Sequence, residues 1–469
     1  MIVIGAGISG LSAAYRLREL AAARETPLEV TVLERGKRVG GPLRTIRRDG
    51  FVIETGSDSF LSEKPWAAEL ARRIGLDGHL IPTREEFRKT YIVRAGRLAA
   101  IPEGFSLLAP ARLGPFLRSP LFSPWAKVRG ALEQFIPRRR EERDESLASF
   151  VKRRMGREVL ERVAQPLAGG IYTADPEQLS IAATLPRFLE MERRHGSVIK
   201  GLRAAERSRV EKTPAMSGAR WNLFLSFKNG MSELADSLAG RLAGAIRFGA
   251  EAENLARVDR GWRVQLKNGD SLDAEAIICA APAYSAKDLL RQLDSTLSHL
   301  LEGISYASAA TVSMAFHETD FPSPPHGFGF VVPIIENRQI IAGSFSSLKF
   351  EGRAPRGMIL ARAFLGGVVQ SAMMNLSDTE MIAAARQEFG SLLGVRAAPE
   401  IVEVQRWPDA MPQYNVGHLE RVLQIEQKVG GIRNLALAGA AYRGVGIPDC
   451  VRSGEQAAQR IFTQLISAA

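Results

Sequence analysis

The chain has 469 residues, 45% hydrophobic and 24% charged, a globular composition long enough for a large core and for about three domains or two interleaved ones. Two cysteines, Cys279 and Cys450, stand far apart in no C-x-x-C pair, which argues against a disulfide framework or thiolate metal site and suits a reducing, cytoplasmic setting. The net charge of +11 is regional, because residues 105–212 carry 21 Lys and Arg against 13 Asp and Glu. The longest uncharged stretches, such as 321–335 and 363–377, contain Pro or Gly and fall short of the roughly 20 residues that span a bilayer, so no transmembrane helix is expected.

Met1–Ile4 reads as an apolar strand running directly into Gly5-Ala6-Gly7-Ile8-Ser9-Gly10, with no room for a signal peptide ahead of it. The glycines have G-x-G-x-x-G spacing: a tight turn at Gly5, close backbone approach to a pyrophosphate at Gly7, and helix-on-strand packing at Gly10. A helix over about 11–23 would direct its first N–H groups at the phosphates. A second strand, 29–34, ends at Glu34, whose carboxylate accepts a ribose 2′-OH and repels a 2′-phosphate, so FAD or NAD is favoured over NADP. The basic loop from Arg35 through Gly40, Gly41, Pro42, Leu43 and Arg44 is placed for a second approach to the pyrophosphate, and this extension points to FAD. In the next segment, 51–60, the small residues Gly56, Ser57, Asp58 and Ser59 suit close approach to a flavin ring.

Residues 105–212 read as helices rich in arginine, with apolar residues interrupted by proline. Two readings stand side by side: an amphipathic element on an anionic membrane surface, or a helical subdomain with a charged outer face. The mixed-sign run 138–145 reads as a solvated turn or helix end. Residues 261–270 alternate and turn at Asn268-Gly269, a hairpin signal, and 276–282 form a buried strand that returns to the dinucleotide sheet. Residues 310–316 and 329–334 supply further strands for a substrate-facing sheet. Near the end, strand 434–439 and the turn 442–450 precede a helix whose Val451, Gly454, Ala458, Ile461 and Leu465 make one apolar stripe. Gly439, Val445, Gly446 and Ile447 thus join the cofactor site, with the helix dipole beside the flavin pyrimidine. Cys450 is read as buried packing.

The expected fold is α/β (α+β) in three parts. A discontinuous Rossmann-like FAD-binding domain takes residues 1–86, 213–283 and 404–469; a mixed-sheet substrate domain takes 87–104 and 284–403; a helical insertion takes 105–212. The six histidines have no metal-ligand spacing and no nucleophile motif is present, so no metal is expected and the flavin carries the chemistry.

Several segments resemble the bacterial porphyrinogen oxidases, flavoproteins of heme biosynthesis within the monoamine-oxidase-like superfamily: Gly56–Leu61, Gln165–Tyr172, Asp175–Ser180, Ser226–Met231, Met411–His418 and Val445–Cys450. The match spans nearly the whole chain. The resemblance implies six-electron oxidation of protoporphyrinogen IX or coproporphyrinogen III, hydride passing from a meso carbon to flavin N5 and dioxygen being reduced to hydrogen peroxide. It implies pyrophosphate contacts at Gly5–Gly10, ribose binding at Glu34 beside Arg35, adenine against the backbone of Ala252, and flavin contacts at Pro42, Gly56–Ser59 and Val445–Ile447. Val331 and Phe364 match the walls of the family's apolar slot, and Thr90 stands where relatives place a basic residue for a propionate. Lys64, Arg88 or Lys89 is expected to supply that charge instead. No general base is assigned. Nucleic acid is not an expected partner, anionic membrane contact and a homodimer stay open, and protoporphyrinogen IX and coproporphyrinogen III are not distinguished. Competing readings are an amine oxidase, which Arg443 near the flavin would disfavour, a carotenoid-type desaturase, and a flavin-free binding protein like the GDP-dissociation inhibitors.

Overall fold

The structure is a computed structural model and describes residues 1–141, 143–211, 223–259 and 261–467. The expected boundary between residues 212 and 213 lies outside them, as does part of the 138–145 run.

Five short parallel strands form the first sheet, in the order Ile246–Phe248, Thr31–Glu34, Ile2–Ile4, Ile277–Cys279 and Leu435–Leu437. Its inner strands are apolar on both faces because both faces are covered. Val3, Val32, Ile278 and Ala436 point into a core shared with helices Ile8–Ala23 and Ile447–Ile466. Ile2, Ile4, Leu33 and Cys279 point into a second core with Trp262 and Leu301. The expected hairpin is present, with Gly261–Leu266 antiparallel to Ser271–Ala274 and to Ala252–Val258.

The second sheet has seven strands, ordered Ile401–Pro412, Tyr306–His317, Met358–Gly366, Ala342–Phe345, Gly329–Val331, Thr90–Arg94 and Arg97–Ala100. It is mixed because Gly329–Val331 pairs parallel to Thr90–Arg94. One face packs on helix Asp378–Leu393 through Met381 and Phe389. The other meets the helical segment. Strand Ile401–Pro412 runs through the boundary expected at residue 404: it pairs with Tyr306–His317 as far as Pro412. Its first residues pack into the cores through Ile401, Val402 and Val404, but beyond Val404 it is held by its partner's backbone rather than by an apolar pattern, which is why its extent was not legible locally.

The segment 105–211 is built mainly of helices around one apolar core and closes on a buried ion network. Arg154 and Glu133 are both 0% exposed; Arg154 Nε donates to Glu133 Oε1 at 2.8 Å and its Nη1 to the carbonyl of Ile136 at 2.9 Å. Glu133 also accepts from the backbone N–H of Val198 and Ile199, at the start of helix Val198–Glu211. The regional basic excess is therefore partly internal: Arg153 is likewise bonded to Glu145 and Glu192. Removing one partner of such a pair strands the other without solvent. Glu133→Gln is expected to lower stability by about 3–5 kcal/mol, read from urea unfolding midpoints.

Candidate functional site

The fingerprint loop has the form its glycines predict. Gly5 sits at φ +101°, and a Cβ on Gly10 would lie 1.9 Å from the Gly5 carbonyl oxygen, so neither position accepts a side chain. A Cβ on Gly7 would meet nothing within 4 Å, nor would one on Gly439 at the end of the last strand, leaving an open cradle between the two turns. Glu34 is held at its strand end by the N–H groups of Ala6 and Gly36, at 2.9 and 2.7 Å. Each oxygen keeps a lone pair for a ribose hydroxyl. Gly40 N donates to the Ala6 carbonyl at 2.8 Å, which stitches the loop carrying Gly41, Pro42 and buried Leu43 to the fingerprint. Ala250 N donates to the Glu34 carbonyl at 3.0 Å, bringing Ala252 to the same end.

The C-terminal helix docks on this loop. A Cβ on Gly454 would lie 2.1 Å from the Ser9 carbonyl oxygen, so the helix backbones touch, and buried Cys450 packs beside Ser9. Burial pushes the Cys450 thiol up to about 12 and the Cys279 thiol up to about 11, in keeping with packing roles for both. These residues fit a dinucleotide: glycine turns with open backbone at Gly7 and Gly439, a strand-end acid, and two helices in backbone contact that begin at those turns.

Not every expected contact is free for a ligand. Burial by itself would raise the Asp58 carboxyl, yet Lys349 and Arg362 hold it below the usual carboxylate range. Lys349 Nζ donates to Asp58 Oδ1 at 2.9 Å and to Ser59 Oγ at 3.1 Å. The side chains of Asp58 and Ser59 therefore serve an internal ion cluster, and only the backbone of Gly56–Ser59 and the exposed Ser57 side chain are left for a cofactor. Arg44 is engaged by Gln405, and Arg35 is exposed beside Glu34. Lys64, one of the three cations offered for a propionate, donates to Asp449 at 2.6 Å. Arg443, expected to oppose an amine, is matched by Glu426 at 2.6 Å. In both cases a turn residue meets an acid on a helix elsewhere in the chain, Asp449 or Glu426, so the neutralisation was invisible in sequence.

Val331 and Phe364, the residues expected to wall the slot, are brought into one row by strand register. Ile92, Val331, Ala342 and Phe364 are consecutive cross-strand partners, one row on one face of the sheet. That row belongs to a single core cluster with Leu167, Ala168, Tyr172 and Val445. Thr90 is half-buried on the same face, two residues before Ile92, whereas Arg88 and Lys89 are exposed beyond the strand.

Sequence reading missed Thr311, Trp407, Lys349 and Arg362. Thr311 Oγ1 and Trp407 Nε1 both donate to the Thr55 carbonyl, at 2.9 and 2.7 Å. The one available signal was Arg362, a lone charge in the otherwise uncharged strand Met358–Gly366.

The comparisons with known proteins decide the family. The model for flavin containing amine oxidoreductases matches residues 8–462. The chain belongs to that family. A coproporphyrinogen III oxidase of Bacillus subtilis (strain 168) is 31% identical over alignment covering 100% of this chain and 98% of the relative. Human protoporphyrinogen oxidase is 28% identical, with 98% of each chain covered. A solved structure from Exiguobacterium sp. 255-15, provisionally named a protoporphyrinogen oxidase, superposes with TM-score 0.86 at 30% identity, covering 99% of this chain and 98% of that one. A triple mutant of putrescine oxidase shares the fold at 17% identity and TM-score 0.69, covering 99% of this chain and 98% of that one. The chain is thus a flavin-dependent oxidoreductase, as its resemblance implied.

Beneath the site, buried Glu54 accepts from Thr45 Oγ1 at 2.9 Å and from Met231 N at 2.7 Å. Burial pushes its carboxyl up to about 7 against the pull of Arg353. The folded protein therefore holds this proton where the unfolded chain has lost it, and stability falls as pH rises from the ordinary Glu value toward about 7. Glu54→Gln is expected to flatten that decline in urea midpoints measured across the same window.

Proposed function

We propose that this chain binds FAD and oxidises a porphyrinogen, protoporphyrinogen IX or coproporphyrinogen III, with dioxygen as acceptor. The observation that carries the reading is the apolar row Ile92–Val331–Ala342–Phe364 in one cluster with Val445 of the C-terminal turn, a flat wall suited to a macrocycle and adjoining the expected flavin contact. The relatives' names agree. Coproporphyrinogen III oxidases of three bacteria are 30–31% identical, above the 26–29% of the protoporphyrinogen oxidases, which favours coproporphyrinogen III.

FAD would lie along Gly5–Gly10, Glu34, Gly40–Pro42, Gly56 and Val445–Ile447, and when bound it supplies a two-electron acceptor. In each round the substrate loses a hydride from carbon and a proton from a pyrrole nitrogen, and dioxygen takes up two electrons and two protons as hydrogen peroxide. Three rounds remove six electrons. The protein's share is to orient the ring against the slot wall and to keep water from the reacting carbon.

The purified protein is expected to show a flavin absorption band, and porphyrin fluorescence is expected to rise faster with coproporphyrinogen III under air. A flavin band with no porphyrinogen oxidised would redirect the reading to amines or carotenoids; no flavin after reconstitution would favour a binding protein. Glu34→Ala removes a charged ribose acceptor and is expected to weaken FAD binding roughly tenfold or more, measured by fluorescence titration of the apoprotein.

A second reading concerns the surface of the helical segment. Trp125, Val128, Leu132 and Phe135 are 83%, 52%, 49% and 80% exposed, spaced at three and four residues so that they share one side. Leu117, Arg118, Arg138 and Arg140 are exposed nearby in sequence. Apolar side chains flanked by cations suit shallow burial in an anionic lipid interface. No helix among the described residues is long and apolar enough to cross a membrane. The protein is expected to co-sediment with phosphatidylserine vesicles at low salt, and Trp125→Ser with Phe135→Ser to abolish it.

A further inference from the structure

We infer that Arg362 is a positioning residue which ties the slot wall to the loop facing the flavin and keeps an excess positive charge there, raising the reduction potential of the bound flavin. This rests on the reading that FAD occupies the site proposed above.

Arg362 lies in the interior of the seven-stranded sheet, directly across from Ser344 on one side and Ser313 on the other. It shares its face with Phe364, two residues on. The side chain is 3% exposed, and a guanidinium keeps its charge at any physiological pH. An apolar side chain would be the ordinary occupant of such a position, so the charge needs a reason.

Three contacts supply one. Nη1 donates to the carbonyls of Glu54 and Gly56, at 2.7 and 2.9 Å. The guanidinium carbon lies 4.7 Å from the Phe364 ring centroid, within range of a cation–π contact. Nη2 stands 3.6 Å from Asp58 Oδ2. The gripped loop is itself close to the cofactor cradle, because a Cβ on Gly56 would lie 2.0 Å from the Pro42 carbonyl oxygen. One side chain thus links the slot wall to the segment that follows the fingerprint extension. Nε of Arg362 and Oγ of Ser344 are buried, and neither has a hydrogen-bond partner among the described residues.

The local charge does not balance. Lys349, Arg353 and Arg362 face Asp58 and Glu54, and Glu54, its carboxyl pushed by burial up to about 7, holds its proton below that pH. Glu233, bonded to His79 and Asn229, is a further acid acting on Arg353, and Glu403 lies two strands along the row, about 10 Å away. With Glu54 protonated, buried Arg353 and Arg362 and half-buried Lys349 stand against the carboxylates of Asp58 and Glu233, which leaves the cluster positive. In a medium of low effective dielectric such a charge favours electrons arriving nearby.

The test compares wild-type holoenzyme with Arg362→Gln and Arg362→Lys. Flavin content, the midpoint potential of the bound flavin by dye equilibration, and KM for coproporphyrinogen III are measured on each. Arg362→Gln is expected to retain flavin with its potential shifted negative. Arg362→Lys is expected to keep most of the potential while KM rises several-fold, because the charge stays and the two-carbonyl grip on the loop is lost. An unshifted potential in Arg362→Gln overturns the inference. Where Arg362→Gln fails to fold, Arg362→Lys decides: a preserved potential with raised KM supports the inference, and an unchanged KM overturns it. Wild-type protein that takes up no flavin overturns the functional reading and this inference together, whereas bound flavin with an unmoved potential overturns the inference alone.

Discussion

The rest of the molecule depends on a backbone contact between the two ends of the chain. Gly454 meets the carbonyl of Ser9 so closely that a single Cβ would overlap it, and Gly10 meets Gly5 in the same way one turn along. These contacts let helices Ile8–Ala23 and Ile447–Ile466 lie side by side on one face of the parallel sheet. Each glycine-rich turn keeps open backbone, at Gly7 and at Gly439. A dinucleotide site of this kind has its positive helix ends and free N–H groups built in before any side chain is considered.

Onto that frame the seven-stranded sheet presents two adjacent rows with different chemistry. The row Ile92–Val331–Ala342–Phe364 is apolar and meets the helical segment; the neighbouring row Thr90–Gly329–Ser344–Arg362 is polar. Because register sets both rows at once, a slip of one residue would turn every one of these side chains to the opposite face. The sheet is therefore a means of holding an apolar wall, a buried cation and the Thr55 carbonyl in a fixed relation. Thr311 and Trp407 complete that relation by donating to the same carbonyl from two further strands.

The helical segment divides its charges between two tasks. Inside, Arg153 and Arg154 are consumed by Glu133, Glu145 and Glu192, an arrangement that stabilises little over an apolar core yet specifies which helices meet. Outside, the aromatic and aliphatic stripe from Trp125 to Phe135 stays unpartnered. The net charge of the segment, taken as one number, mixes these two roles and describes neither.

What the amino-acid sequence determined by itself was everything carried by local spacing. The fingerprint glycines, Glu34 at its strand end, the Asn268-Gly269 hairpin and the stripe on the last helix each depend on neighbours a few residues away, and the structure has all of them. The resemblance of separated motifs added the family. Only the tertiary structure decided which charges are free. Lys64, one of three cations offered for a propionate, is bonded to Asp449, 385 residues along the chain; the Asp58 side chain, in the segment expected at the flavin, is bonded to Lys349 and faces Arg362. The physical reason is that a hydrogen bond or ion pair between distant segments leaves no periodicity for a sequence to display, while the cost of burying an unpaired charge ensures that such partners are found once the chain is folded.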